Sequence, residues 1–143
     1  MNLTIDASVW LATLSAGEPH HERAASLIAA LVAREVRLHQ PGLFIIEVCA
    51  TVARRTRNRA LALTVARTTL ATRGMVLYEL DHRLAAAAAD AAATCALRGA
   101  DAVYVATAQR AASTFVTLDQ ELLDRARSIV SVRTPAEWLT EMA

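Results

Sequence analysis

Four carboxylates in this sequence are candidates for chemistry: Asp6, Glu47, Asp101 and Asp119. Asp6 directly follows the first apolar segment, and Asp119 comes two residues after the apolar segment 114–117. Ligands of open α/β folds bind at the carboxyl ends of the strands, so we expect Asp6 and Asp119 at the same rim of a sheet. Each also precedes a predicted helix, which leaves the role of a helix N-cap open for both.

Glu47 lies in a segment that is apolar nearly all round, with neighbours such as Phe44 and Val48. The pattern predicts a buried helix, where an ionised carboxylate is costly unless it is paired or bound to a metal. A salt bridge to Arg54 or another arginine is the alternative. Asp101 stands at the start of another apolar helix, where it is a second candidate N-cap.

Gathered together, the four carboxylates favour a hard divalent cation. Two carboxylates about 4 Å apart repel each other by about 4 kcal/mol at an effective dielectric constant near 20. Mg²⁺ or Mn²⁺ offsets this repulsion with oxygen ligands. Such an ion also lowers the pKa of a bound water and stabilises charge on a phosphoryl group. The set therefore predicts phosphodiester hydrolysis without a protein nucleophile.

Strands and helices that would position these residues alternate along the chain. The pattern predicts strands at 2–6, 36–39, 75–79, 114–117 and 129–133. It predicts helices at 8–15, 19–35, 43–57, 59–73, 82–98, 102–112 and 120–128 and a last one from Pro135, with Gly74 and Asp81 as caps. This alternation indicates a three-layer α/β fold with a mainly parallel central sheet flanked by helices. The length suits a single domain, 1–143.

The composition excludes several classes of function. All 15 basic residues are arginine, against a net charge of +1, so a Schiff-base lysine and a P-loop are excluded. No run approaches the roughly 20 apolar residues that span a bilayer, and the N-terminus lacks a signal peptide. We therefore expect a cytoplasmic protein without a membrane partner. Cys49 and Cys95 lie in apolar helical runs, which favours two buried thiols over a disulfide.

Four segments resemble, in order, the motifs of the PIN-domain family: 4–8 (TIDAS), 44–48 (FIIEV), 99–108 (GADAVYVATA) and 115–119 (FVTLD). Over essentially the whole chain, the length and spacings resemble the VapC toxins of bacterial VapBC toxin–antitoxin pairs. The resemblance implies a PIN-like fold and a Mg²⁺-dependent ribonuclease, with Mn²⁺ as a substitute ion.

The same resemblance implies roles for individual residues and for partners. Asp6, Glu47, Asp101 and Asp119 match the acidic quartet that holds the metal and carries catalysis. Thr117 and Ser8 match supporting polar positions. The implied partners are an RNA substrate, a VapB-like antitoxin whose C-terminal segment covers the site, and a second copy of the chain in a homodimer.

Other residues have two interpretations each. Four arginines follow Glu47: Arg54, Arg55, Arg57 and Arg59. They are candidates for binding an RNA backbone, or they lie at a solvated helix end where cations are favoured. The pair His20-His21 does not suit a two-histidine metal site, because adjacent residues of a helix do not face together. We expect Trp10 and Trp138 in the core or at a dimer interface rather than stacked on bases.

Two other classes of protein compete with a nuclease. A phosphoacceptor receiver needs an acidic pair after the first strand and a lysine, and this chain has neither. A protein of the haloacid-dehalogenase type needs an aspartate at the position where this chain has Ser8. The alternative that stays open is a non-catalytic PIN-like module that binds RNA or protein. The presence of all four acids argues against it, and titration with Mn²⁺ tests it.

Overall fold

A computed structural model describes all residues from Met1 to Ala143. Its five strands form one sheet in the order β3-β2-β1-β4-β5, and every neighbouring pair is parallel. The strands are β1 (Asn2–Ile5), β2 (Arg37–Pro41), β3 (Met75–Tyr78), β4 (Thr114–Val116) and β5 (Val132–Arg133). The predicted α/β fold is thus confirmed, with a sheet that is wholly parallel.

Eight helices flank the sheet and connect its strands. They are α1 (Ala7–Ala12), α2 (His21–Ala33), α3 (Leu43–Thr56), α4 (Arg59–Leu70), α5 (His82–Cys95), α6 (Gly99–Arg110), α7 (Gln120–Ala126) and α8 (Pro135–Glu141). Helix α6 packs on β1, β2 and β4, and α5 packs on α6. Helices α1, α2 and α3 form a second group, in which α3 also packs on α4. No helix combines the length and apolar character needed to cross a membrane.

The hydrophobic core forms because helices cover both faces of the sheet. Strand residues such as Leu3, Ile5 and Phe115 are fully buried, as expected for parallel strands with helices above and below them. A smaller cluster between α5 and α6 uses alanines, which let the two helices approach closely: Leu84, Ala88, Ala102 and Ala106. Trp10 and Trp138 are both buried, so the prediction that they belong to the core is confirmed. Cys49 and Cys95 are free thiols, as predicted, but only Cys95 is buried.

Two strands differ from the sequence prediction by more than one residue at an end. Strand β2 runs to Pro41, which occupies its last position, instead of ending at His39. Strand β5 contains only Val132 and Arg133. The backbone N–H groups of Ile129 and Val130 donate to the Ala126 carbonyl. These two residues therefore belong to the turn after α7 and not to the predicted strand.

The prediction that Gly74 caps a helix is wrong. Helix α4 ends at Leu70 with Ala71 as its C-cap. Gly74 lies in the turn that enters β3, with a φ of +81°. A Cβ at this position would stand 3.1 Å from the carbonyl oxygen of Val36. Glycine is therefore required here by the turn and by the close approach of the Val36 carbonyl, just before β2.

Candidate metal centre

Two neighbouring strand ends form the base of the candidate site. Asp6 follows β1, and its backbone N–H donates to the carbonyl of Val116, the last residue of β4 (2.9 Å). Asp119 follows β4 at the same rim, as the N-cap of α7. The strand-end positions that the sequence predicts for both aspartates are confirmed. Asp101 and Glu47 reach the rim from α6 and α3, respectively.

The Asp6 side chain does not cap a helix. It occupies the N-cap position of α1 but makes no capping hydrogen bond. Its Oδ2 accepts instead from the hydroxyls of Ser8 (2.6 Å) and Thr117 (3.1 Å). The Thr117 hydroxyl also accepts from the Asp119 N–H (3.0 Å), so one side chain links the two aspartates. Both supporting polar residues predicted from the sequence therefore contact Asp6.

Glu47 is half-buried and is not part of a salt bridge with Arg54. The expectation that its helix is buried all round is wrong, because Ile46 is 65% exposed and the helix buries one face only. The Tyr104 hydroxyl donates to Glu47 Oε2. Burial raises the pKa of the Glu47 carboxyl, and the charges of Asp6 and Asp101 raise it further, while the Tyr104 hydrogen bond opposes them.

Tyr104 is a buried anchor for Glu47 that sequence reasoning missed. Its side chain is almost completely inaccessible and stacks on Phe115 with ring centroids 6.1 Å apart. Burial and the bond to Glu47 raise the pKa of the phenol, so it remains a hydrogen-bond donor. The phenol lies three residues after Asp101, and this spacing alone gives no indication that it reaches α3.

Asp101 and Asp119 share one cationic partner. Arg98 donates from Nε to Asp101 Oδ2 (2.9 Å) and from Nη2 to Asp119 Oδ2 (3.0 Å). The N-cap of α6 is Arg98, so the alternative role of Asp101 as an N-cap is wrong. Burial raises the pKa of the Asp101 carboxyl, against the opposing effect of the Arg98 charge. Asp119, by contrast, is an N-cap, because its Oδ1 accepts from two N–H groups at the start of α7.

A single open cavity of about 640 Å³ connects the four carboxylates. Of the four candidate RNA-binding arginines, Arg54 and Arg55 line it. Arg55 is paired with Glu18 at 2.5 Å. Arg57 and Arg59 lie outside the lining, at the turn between α3 and α4.

Residues that the sequence analysis did not assign to this site complete the lining, among them His20, Glu18 and Arg98. His21 instead has Nδ1 2.9 Å from the Ala12 carbonyl oxygen, so the two histidines separate as expected. The predicted helices end at Arg98 and begin again after Asp101, so the sequence provides no reason to pair these two residues. In the structure Arg98 is the N-cap of the helix that contains Asp101.

The side chains do not form a finished coordination shell. No three acidic, histidine or cysteine side chains lie close enough together to hold one ion. Each carboxylate is satisfied by a protein donor instead, either a hydroxyl or a guanidinium. The donor set nevertheless consists of carboxylate oxygens around one open cavity, which is the chemistry that a hard divalent cation prefers.

Comparison with known proteins decides the family. The PIN-domain family model matches residues 3–128 of the sequence. The chain belongs to the PIN-domain family. A search of curated proteins finds no match. Membership of the PIN family implies a nuclease in general terms, of a kind that generally uses a divalent metal.

Solved structures share the fold of this PIN domain at low sequence identity. The FitAcB structure from Neisseria gonorrhoeae is similar with a TM-score of 0.70 and 20% identity, covering 94% of this chain and 98% of that chain. VapC20 of Mycobacterium tuberculosis, described as a sarcin-ricin loop cleaving toxin, matches with a TM-score of 0.71 and 17% identity over 85% and 93% of the two chains. VapBC2 of Rickettsia felis, bound to a fragment of its promoter DNA, matches with a TM-score of 0.71 and 9% identity over 94% and 98%.

Proposed function

We propose that this PIN domain is a Mg²⁺-dependent endoribonuclease and the toxin of a toxin–antitoxin pair. The observation that supports this most is the arrival of four carboxylates, from four separate segments, at one cavity on the carboxyl rim of the sheet. Similarity to VapC20, a toxin that cleaves the sarcin-ricin loop, points to RNA as the substrate class. Similarity to the FitAcB and VapBC2 structures points to an antitoxin partner.

In this proposal Asp6, Glu47, Asp101 and Asp119 hold the metal, directly or through water. A bound Mg²⁺ supplies an activated water and stabilises charge on the phosphoryl group. The protein supplies the positions of the ligands. Ser8 and Thr117 orient Asp6, and Tyr104 orients Glu47 from a buried and rigid location.

The charges around the cavity suit a polyanionic substrate. Arg54 and Arg55 line the wall next to the acids, where a guanidinium can contact a phosphate oxygen of the RNA. Glu18 reduces the net charge of this wall, since it is paired with Arg55. Arg54 is therefore the stronger candidate for a phosphate contact, and Arg57 and Arg59 are the weaker ones.

RNA cleavage by acid-to-amide variants tests the proposal. With Mg²⁺ present, we expect Asp6→Asn and Asp101→Asn to cleave an RNA substrate about 100-fold more slowly than wild type, because each amide removes a negative ligand from the metal. Asp124→Asn is the matched control, since Asp124 is an exposed residue of α7 and its side chain bonds only to Gln120. Cleavage by Asp6→Asn or Asp101→Asn at the wild-type rate would refute the proposal.

A non-catalytic binding module is the second candidate, because the four side chains do not form a ready coordination group. Calorimetric titration with Mn²⁺ separates the two functions. Binding that Asp6→Asn weakens supports the nuclease, and absence of binding at millimolar Mn²⁺ supports the inert module. The proposed homodimer and antitoxin complex are tested by the mass of the protein in solution, alone and with the product of the adjacent gene.

A further inference from the structure

Arg98 is the one cation that directly contacts the proposed metal ligands. Its guanidinium donates to Asp101 Oδ2 at 2.9 Å and to Asp119 Oδ2 at 3.0 Å. These two acids come from different elements, α6 and the start of α7. One arginine side chain thus bridges two of the four carboxylates that are proposed to bind a metal. The presence of a cationic side chain at these ligands needs an explanation.

The Asp119 oxygen that Arg98 contacts is the one that a cation needs. Asp119 Oδ1 already accepts from the backbone N–H groups of Glu121 and Leu122. This leaves Oδ2, the atom that Arg98 contacts, as the oxygen of Asp119 available to a metal. The other two acids, Asp6 and Glu47, contact only neutral hydroxyl donors. The competition between arginine and metal is therefore confined to Asp101 and Asp119.

The ion pairs that Arg98 forms with Asp101 and Asp119 are weak. The Arg98 side chain is 69% exposed, and it extends from the N-cap position, outside the first turn of α6. Ion pairs at such exposure contribute little free energy, because water and salt screen them. A divalent cation on the same oxygens would repel the guanidinium strongly at this distance. Its long side chain can leave the cavity without any movement of the helix.

We propose that Arg98 is an exchangeable counter-ion of the metal site. In the metal-free protein its guanidinium bridges Asp101 and Asp119, and a divalent cation displaces it from both carboxylates. This inference rests on the proposed function, since it requires that the four acids bind a metal. It assigns to Arg98 the role of setting how tightly the metal binds and of relieving repulsion when no metal is present.

Calorimetric titration with Mn²⁺ tests the proposal without measuring cleavage. We expect Arg98→Gln to bind Mn²⁺ roughly 3- to 10-fold more tightly than wild type, because the ion no longer breaks an exposed bridge to two carboxylates. Arg110→Gln is the matched control. Arg110 also pairs with an N-cap aspartate, Asp81, but neither residue lines the cavity. The control loses the same charge and should bind Mn²⁺ with nearly wild-type affinity.

Thermal unfolding gives a second readout. Metal-free Arg98→Gln should melt below wild type, since the repulsion between Asp101 and Asp119 is no longer relieved, and Mn²⁺ should raise its melting temperature by more than it raises that of wild type. Arg98→Lys keeps the charge but cannot bridge two carboxylates with a rigid fork, so its Mn²⁺ affinity should fall between those of wild type and Arg98→Gln.

The outcomes separate this inference from the proposed function. If wild type binds Mn²⁺ and Arg98→Gln binds it equally or more weakly, the counter-ion role is wrong and the metal site stands. If Arg110→Gln tightens binding as much as Arg98→Gln, the effect is one of overall charge and the counter-ion role is again wrong. If neither wild type nor Arg98→Gln binds Mn²⁺, both proposals fail. Binding by Arg98→Gln alone would support the inference in its strongest form.

Discussion

The four acids of the proposed metal site contact three kinds of side-chain donor, and the kind of donor determines what removal of each acid should do. Asp6 accepts from two small hydroxyls, Glu47 from a buried phenol, and Asp101 and Asp119 from one guanidinium. Hydroxyl donors orient a carboxylate and leave its charge available to a cation. A guanidinium neutralises it, so the acids differ in how freely they can meet a metal.

Tyr104→Phe should weaken metal binding through Glu47. The variant removes the hydroxyl that fixes Glu47 and opposes the rise in its pKa. We expect Mn²⁺ affinity to fall roughly 3- to 10-fold and the free energy of unfolding to fall by about 1 kcal/mol. Tyr78→Phe is the control, since its hydroxyl contacts His39 at 2.9 Å, on a strand whose side chains do not line the cavity.

Calorimetry and chemical denaturation measure the two effects of Tyr104→Phe separately. A role that is only structural would lower the stability of the Tyr104 variant without changing its affinity for Mn²⁺. Unchanged Mn²⁺ affinity in a folded Tyr104→Phe protein would therefore contradict the positioning role.

His39 should make the protein less stable in acid. Burial, followed by the charges of Arg37 and the N-terminus, lowers the pKa of this histidine below 6.5, and its Nε2 is buried without a partner. Well above pH 6.5 the ring is neutral in both the folded and the unfolded chain, so it contributes no pH dependence. Below that pH the unfolded chain takes up the proton first, and stability falls by up to about 1.4 kcal/mol per pH unit until the lowered pKa is reached.

Denaturation of wild type and His39→Asn between pH 5 and 8 measures this contribution. The acid-side loss of stability should be smaller in the variant than in wild type, and His82→Asn, which changes an exposed histidine, should keep the wild-type slope. Equal slopes in wild type and His39→Asn would show that another group causes the acid sensitivity.

At the scale of elements, the strands are easier to predict from the sequence than the ends of the helices. Strands β1, β3 and β4 lie within a residue or two of their predicted positions, because short apolar runs between turns have few other structures to adopt. Helix ends lack such a constraint in an alanine-rich chain. Helix α5 ends at Cys95 with Ala96 as a left-handed C-cap, three residues before the predicted end at Arg98.

Gly74 gives a prediction that belongs to the turn between α4 and β3. Gly74→Ala should lower the free energy of unfolding by about 1–2 kcal/mol, because alanine must adopt a positive φ and place its Cβ against the Val36 carbonyl. Gly99→Ala is the control, since a Cβ there meets nothing within 4 Å and lies in the first turn of a helix.

Urea denaturation of the two glycine variants measures the difference. The Gly99 variant should be as stable as wild type or slightly more stable, because alanine favours a helix over glycine. Equal effects of the two substitutions would show that the left-handed turn at Gly74 carries no special requirement.

At the scale of the whole molecule, the strand order explains why the site lies where it does. Strands β2 and β3 extend from one side of β1, and β4 and β5 extend from the other. The chain therefore reverses direction across the sheet between β1 and β4, and such a switch point opens a crevice at the carboxyl ends of the strands. Asp6 and Asp119 flank this crevice, and α3 and α6 bring the other two acids to it.

The sequence alone reaches only part of this arrangement. The local pattern of apolar residues predicts the positions of Asp6 and Asp119 at strand ends. Asp101 is assigned to the site chiefly by resemblance to the PIN family. The contacts of Tyr104 with Glu47 and of Arg98 with Asp119 depend on how α3, α6 and α7 pack, and no short-range spacing encodes that packing. Spacing in the sequence also does not indicate that Arg54 and Arg55 line the cavity while Arg57 and Arg59 lie outside it.

The central claim is that the four carboxylates bind a divalent cation in their shared cavity. Anomalous scattering from crystals soaked in Mn²⁺ tests it most directly. We predict a peak in the cavity that carboxylate oxygens of at least two of the four acids coordinate, with the Arg98 guanidinium withdrawn from Asp119. A cavity without a peak at saturating Mn²⁺, or a peak only at a site remote from all four acids, would contradict the claim.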